Sequence, residues 1–356
     1  MSIVQTREEE LAYNCSDSVI RNESKLQSFN DYMRLLNDAD LSSSLINCEG
    51  TITSPDIQGV FVRRNNGKLG IMLGQEFNPI VYRGQCNDYP FMPSSQRYEL
   101  FDGNERIRHS IEWIKKKEFI RLISSTPYYT QMKDFEILGC KYEFDMEALA
   151  KQYNCVSDYI DVTRNMMVAY FFAYTYWDSE KNQLRPIETF EFNTPMLYIG
   201  SIKELYYKVP ECVANIGFQT VVPAKAQQTM SLNVAKNRDY IKSLFKKIEL
   251  PKNPLIARNV YDQFEGGRLL IPQDYASKCV SKINEHKTLQ EDLVIEYCEM
   301  TETDEEWLRG EYERLGYKLI NNMWDIPEQA ISMIKKEVDD YIMPYLRTRF
   351  LFREEK

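Results

Sequence analysis

Three short polar signals sit on stretches that otherwise read as strands, and they are where chemistry could reside. The first is Tyr82-Arg83-Gly84-Gln85, which closes the apolar run Ile80-Val81. An arginine ending a strand beside a glycine offers a planar fork of donors next to bare backbone, which suits a phosphate or carboxylate. The second is the set Asp158, Asp161 and Thr163, directly ahead of Met166–Tyr176, the densest apolar run in the chain. That run is too short to span a bilayer and reads as a helix buried on most sides. At its N-terminal end a carboxylate and a hydroxyl either cap free N–H groups or face a ligand. The third is Gln227-Gln228, on the alternating stretch Gln227–Leu232, which reads as a strand carrying Gln227 outward.

Several familiar sites are missing. The chain has no Walker loop, no GxGxxG after a strand, no HExxH and no GxSxG. Its two histidines, His109 and His286, fall in predicted helices among charges, so neither is placed to activate a Ser or Cys nucleophile. Eight scattered cysteines form no CxxC pair, which argues against structural zinc and for a reducing, cytoplasmic setting. With 44 Lys+Arg against 53 Asp+Glu the net charge is −9, which argues against general electrostatic binding to nucleic acid. The one local basic candidate, Lys115-Lys116-Lys117, lies in a helical pattern and reads as a solvated face. Residues Met1–Glu10 are polar and acidic, unlike a signal peptide, and no membrane association is expected. Apolar content of 43% marks a folded globular chain.

The elements that must position these residues follow from periodicity. Ser28 caps a helix bearing Phe29, Tyr32, Met33 and Leu36. Val60–Val62 and Lys68–Leu73 flank Asn65-Asn66-Gly67, a two-residue hairpin signal. Tyr89–Pro93 is a proline-braced loop. Asn104–Ile123 is a long amphipathic helix, and a further helix starts near Asp145. Glu188–Phe192 and Met196–Ile199 read as strands after a charged loop over 178–185. Asn237–Lys247 and Gln273–His286 read as helices. From Thr303, with Glu306 completing a capping box, the pattern is helical, including a helix starting at Asp325-Ile326-Pro327. The fold class is α+β, with a mixed or antiparallel strand-rich middle and helical flanks. The divisions are a helical N-terminal segment over 1–56, a central domain over 57–300 and a helical extension over 301–356.

Taken together the motifs resemble the FRG domain family, named for the Phe-Arg-Gly of its first motif. Tyr82-Arg83-Gly84-Gln85 with Tyr89-Pro90 and Pro93 resembles the family's "FRGQ" motif. Gln152–Thr163, running without a gap into Val168-Ala169-Tyr170-Phe171-Phe172-Ala173, resembles its "QHYGIPTDLLDVTTDPxVALFFA" motif. Ile216–Gln219 leading to Gln227 resembles a looser third one. The likeness covers roughly residues 57–235. Departures are Gln152 in place of the family's His, Asn154 in place of its Gly, Met166 in place of its Pro, and no Arg in the third motif.

The resemblance implies an ADP-ribosyltransferase-like plan: Arg on a first strand, Ser or Thr on a middle one, Gln or an acid on a late one. It implies NAD or a related nucleotide as ligand, with Arg83, Asp161 and Gln227 as the catalytic set. Tyr82, Arg83, Gly84, Gln85, Tyr153, Asp158 and Thr163 would line the nucleotide. Within that plan Arg83 would hold the pyrophosphate, Tyr153 or Tyr82 the nicotinamide, and Asp161 or Gln227 the ribose hydroxyls. The expected activity is ADP-ribosyl transfer to a macromolecular acceptor or NAD glycohydrolysis, in a bacterial toxin or phage-defence setting. The alternative is a non-catalytic module that uses the same pocket to recognise a nucleotide, nucleic acid or protein.

Overall fold

The computed structural model describes residues 48–53, 58–63, 69–73, 80–100, 103–126 and 145–321, apart from 179, 182, 215–221 and 272–273, with positions 136–137, 140–141, 332, 333 and 336 besides. The helix expected over Ser28–Leu36, the Asn65–Gly67 turn, Ile216–Gln219 and the helix expected from Asp325 lie outside the described residues. Strands β1 (Cys48–Thr53), β2 (Gln58–Arg63) and β3 (Leu69–Leu73) form an antiparallel meander. The β2–β3 pairing is the one the hairpin signal requires.

The centre of the α+β fold is a six-stranded antiparallel sheet. In chain order its strands are β4 (Ile80–Gln85), β5 (Tyr159–Thr163), β8 (Met196–Ser201), β9 (Val213–Ala214), β10 (Thr229–Asn233) and β11 (Phe245–Glu249). A hairpin of β6 (Thr175–Asp178) and β7 (Gln183–Pro186) lies outside it. In space the order is β9-β10-β5-β4-β8-β11. The first, second and fifth strands of the sheet therefore lie side by side.

Alternation decides the faces. On β5, Ile160 and Val162 join Val81, Tyr198, Met230 and Leu232 in an apolar cluster on one side. Tyr159, Asp161 and Thr163 point to the other, in register with Asn233, Ser231 and Thr229 of β10. That polar ladder is covered by α2 (Met146–Gln152), whose cap Asp145 accepts from Ala148 N–H. Beside it, α3 (Met166–Tyr174) covers β4 and β8 and packs in a second cluster with Ile80, Tyr82, Leu197 and Ile199. The apolar run thus forms the buried helix that its composition predicts. Asn165 caps it by accepting from Met167 N–H, Thr163 Oγ1 accepts from the N–H of Asn165 itself, and Asp161 bonds elsewhere.

A third cluster joins α1 (Gly103–Ser124) to α9 (Glu291–Thr301) and α10 (Glu305–Arg314), around Ile114, Leu293, Tyr297 and Tyr312. Of the remaining helices, α4 (Ile202–Lys208) contacts β8, α5 (Val222–Gln227) contacts β10, α6 (Arg238–Ser243) contacts β11, α7 (Pro254–Gln263) packs on α3 and α8 (Tyr275–Glu285) packs on α1. A two-stranded parallel sheet pairs β12 (Thr288–Gln290) with β13 (Lys318–Ile320). Among the described residues no helix is long and apolar enough to cross a membrane.

Five local expectations change. Gln227 ends α5, and the strand begins two residues later at Thr229, because only Thr229–Asn233 finds β5 to pair with. Residues 245–247 leave the expected helix and form, with 248–249, the strand that pairs with β8 at the sheet edge. Glu188–Phe192 has no strand partner among the described residues, and the pairing falls instead on Gln183–Pro186. The cap of α10 is Asp304, whose carboxylate accepts from Trp307 N–H, and the chain after it returns to a strand. Lys115 and Lys116 are buried, not solvated, because α1 is packed on several sides.

Candidate functional site

The ladder between β4 and β5 is one pair long, at Tyr82 and Thr163. One residue further the two strands splay, and Arg83 fills the opening. Its Nη1 donates to the backbone carbonyl of Asp161 at 2.8 Å, across 78 residues of sequence. A side chain here takes the place of a ladder bond. The Arg83 Nε is buried without a hydrogen-bond partner. Burial pulls the guanidinium down to about 10, against the pull of Asp161 and with a further push from Arg97.

On the other face the Asp161 carboxylate closes a compact network. Lys151 Nζ lies 2.9 Å from its Oδ2, and Gln152 Nε2 donates to its Oδ1 at 2.8 Å. Ser231 Oγ donates to the same oxygen at 3.0 Å, and Gln152 also reaches Ser231. The side chains of Lys151 and Asp161 are 20% and 24% exposed, so the pair is edged by solvent and not sealed. Farther along the ladder, Tyr159 donates to the half-buried Asp145, whose carboxyl is pushed up by desolvation. Burial also drives the Tyr159 hydroxyl far above its ordinary range.

The remaining sequence-selected residues are held as follows. Thr163 Oγ1 donates to Gln227 O at 2.5 Å, and the Gln227 amide donates to Leu270 O at 3.0 Å. Gln227 therefore joins Thr163 at the end of β5, while Arg83 and Asp161 meet at its middle. Tyr82 is buried under α3. Tyr153 donates to Asp274, itself the cap of α8, and its ring leans on Phe119. Asp158 is exposed and accepts from Ser95. The close approach that Gly84 permits is that of a helix, since a Cβ there would stand 1.7 Å from the Ala169 carbonyl oxygen. Gln85 is buried with its Oε1 unpaired.

One residue was not singled out by sequence reasoning. Arg164 follows the Tyr82–Thr163 pair, and its backbone N–H donates to Gln228 O. Its Nε is buried without a partner, burial alone lowers its guanidinium to about 10, and no described carboxylate pairs with it. The available signal was a cation set between a strand and an apolar run, which by itself does not separate a surface arginine from a buried one. The cysteines whose side chains are described, Cys86, Cys155, Cys212, Cys279 and Cys298, are free thiols.

Two guanidinium donors and one amide acceptor are thus buried and unpaired around the ends of β4 and β5. Such atoms are costly unless a ligand or water meets them. No protein-family model, no curated protein and no solved structure matches this chain.

Proposed function

We propose that the chain binds NAD or a related nucleotide at the opening between β4 and β5, as an ADP-ribosyltransferase-like effector of the kind the FRG resemblance implies. The observation that carries this reading is the adjacency of the three motif-bearing strands. Arg83 on the first, Asp161 and Thr163 on the second, and the fifth, which Gln227 precedes, lie in neighbouring positions. Arg83 and Arg164 supply the cationic donors for a pyrophosphate, and their unpaired Nε atoms motivate that assignment. This reading assigns the ribose hydroxyls to Thr163 and Gln227 at the end of β5, and to Asp161, whose carboxylate lies on the face of the sheet opposite the Arg83 side chain. Cleaving the nicotinamide–ribose bond builds positive charge on the ribose, and this reading assigns its stabilisation to the Asp161 carboxylate.

One observation favours the non-catalytic alternative. Asp161 is already held by Lys151, Gln152 and Ser231, so its charge is offset before any ribose cation forms. Incubation of the purified chain with NAD separates the two. Nicotinamide release, with or without a modified macromolecule, identifies the enzyme, and binding without release identifies the module.

Calorimetric titration with NAD of the wild type, Arg83→Lys and Arg83→Ala tests the site itself. Arg83→Lys is expected to lose about 1–3 kcal/mol of affinity as charge-assisted bonds go. Arg83→Ala is expected to lose more, and to melt lower because the Asp161 carbonyl is left without its donor. Wild-type affinity in Arg83→Ala would remove the nucleotide reading.

A further inference from the structure

A cleft of about 990 Å³ runs along the N-terminal half of α1, between the loop 154–156 and the ends of α8 and α10. Its lining is strongly basic in a chain of net charge −9. Arg97, Arg108, Lys115, Lys116, Lys287 and Arg314 face it, against Glu105 and Glu112. Part of this charge is already matched. Arg108 pairs with Glu112 and Glu105, Lys115 with Glu118, Lys116 with Glu147, and Arg314 with Glu311.

Arg108 answers two glutamates, and the cations left unpaired are Arg97 and Lys287. Both are exposed, and neither forms an ion pair with any described residue. The Lys287 ammonium stands 4.3 Å from the centre of the Tyr317 ring, which holds it toward the cleft without neutralising it. Arg108 and Arg314, 69% and 59% exposed, keep their carboxylates only through helix-surface contacts that a stronger anion can displace.

We propose that this cleft is a second site, which binds a small molecule carrying two or three linked phosphates through Arg97 and Lys287, with Arg108 and Arg314 closing on it. The volume is that of a small-molecule pocket, for which roughly 300–1,000 Å³ is usual. An extended nucleic acid would meet the acidic remainder of the surface beyond the cleft, so the compact ligand is favoured. The inference stands independently of the nucleotide reading of the β4–β5 opening.

The test is calorimetric titration of the full chain with inorganic tripolyphosphate at low salt. Saturable binding at the cleft is expected, weakened by at least about tenfold in Arg97→Ala/Lys287→Ala and by raised salt, and retained when Arg83→Lys disables any second binding at the β4–β5 opening. Both substituted side chains are exposed, so the double variant should melt as the wild type does. If it does not, Arg97→Gln and Lys287→Gln singly should each weaken binding. A short single-stranded oligonucleotide forms the comparison arm. Absence of saturable binding overturns the proposal, as does binding that survives the double variant. Loss in Arg83→Lys alone would move the ligand to the β4–β5 opening. An oligonucleotide that binds more tightly through the same two residues would make the cleft a nucleic-acid groove.

Discussion

Gly84→Ala separates a glycine kept for a ligand from one kept for a helix. The added Cβ would lie 1.7 Å from Ala169 O, 2.7 Å from Ala169 C and 2.8 Å from Ala173 N, where 3.0 Å is the nearest such carbons come. All three obstacles are backbone atoms of α3, so no rotamer change relieves them. The helix must withdraw from the sheet. Overpacking of a yielding core costs about 1–3 kcal/mol. Here withdrawal also loosens Val168, Ala169, Phe171 and Ala173, all fully buried, from Ile80, Tyr82, Leu197 and Ile199. The cost then approaches that of a large core truncation, about 3–5 kcal/mol. Against a total of about 5–15 kcal/mol that is a large share, and it corresponds to a fall in melting temperature of at least about 6 °C. Thermal melts followed by near- and far-UV circular dichroism measure it, with NAD titration in parallel. A variant that melts as the wild type does but no longer binds nucleotide would refute the packing argument and restore Gly84 to the ligand.

Asp161→Asn should destabilise by about 1–3 kcal/mol, because Lys151 loses its counter-charge while Gln152 and Ser231 keep one acceptor; a urea series checks this, and adding Lys151→Met should recover part of the loss. His109, buried against Tyr297, is pulled down to about 4 by burial, with Lys116 adding to the effect and Asp158 opposing it. A lowered folded value means that its stabilisation is complete above the unfolded value of 6.5 and is lost as pH falls through about 4. Urea midpoints should therefore drop between pH 6.5 and 4, by an amount of the order of 3 kcal/mol in stability, and His109→Gln should flatten that slope; an unchanged slope would show the histidine already charged in the fold.

Much of the architecture was legible in the residues because periodicity encodes which face is buried. The 11-residue apolar run at 166–176 announced α3, and the polar, strand-like stretch ending on Asp161-Val162-Thr163 announced β5. Asp145 announced the start of α2. Those are local properties of composition and spacing. What tertiary structure decided is who meets whom. Nothing local in Asp161 names Lys151 and Gln152 on one side and Ser231, 70 residues on, on the other. Lys115 and Lys116 carry a surface composition, yet α1 is packed closely enough to bury both. Residues 245–247 end a helical pattern and became part of a strand because the edge of β8 offered hydrogen bonds that a longer α6 could not match. The strand order 4-5-2-1-3-6 within the sheet, which sets the Arg83, Asp161 and Gln227 segments beside one another, arises from pairings between distant stretches. Such pairings are selected by the burial of whole faces, a sum over the sheet that no single segment contains.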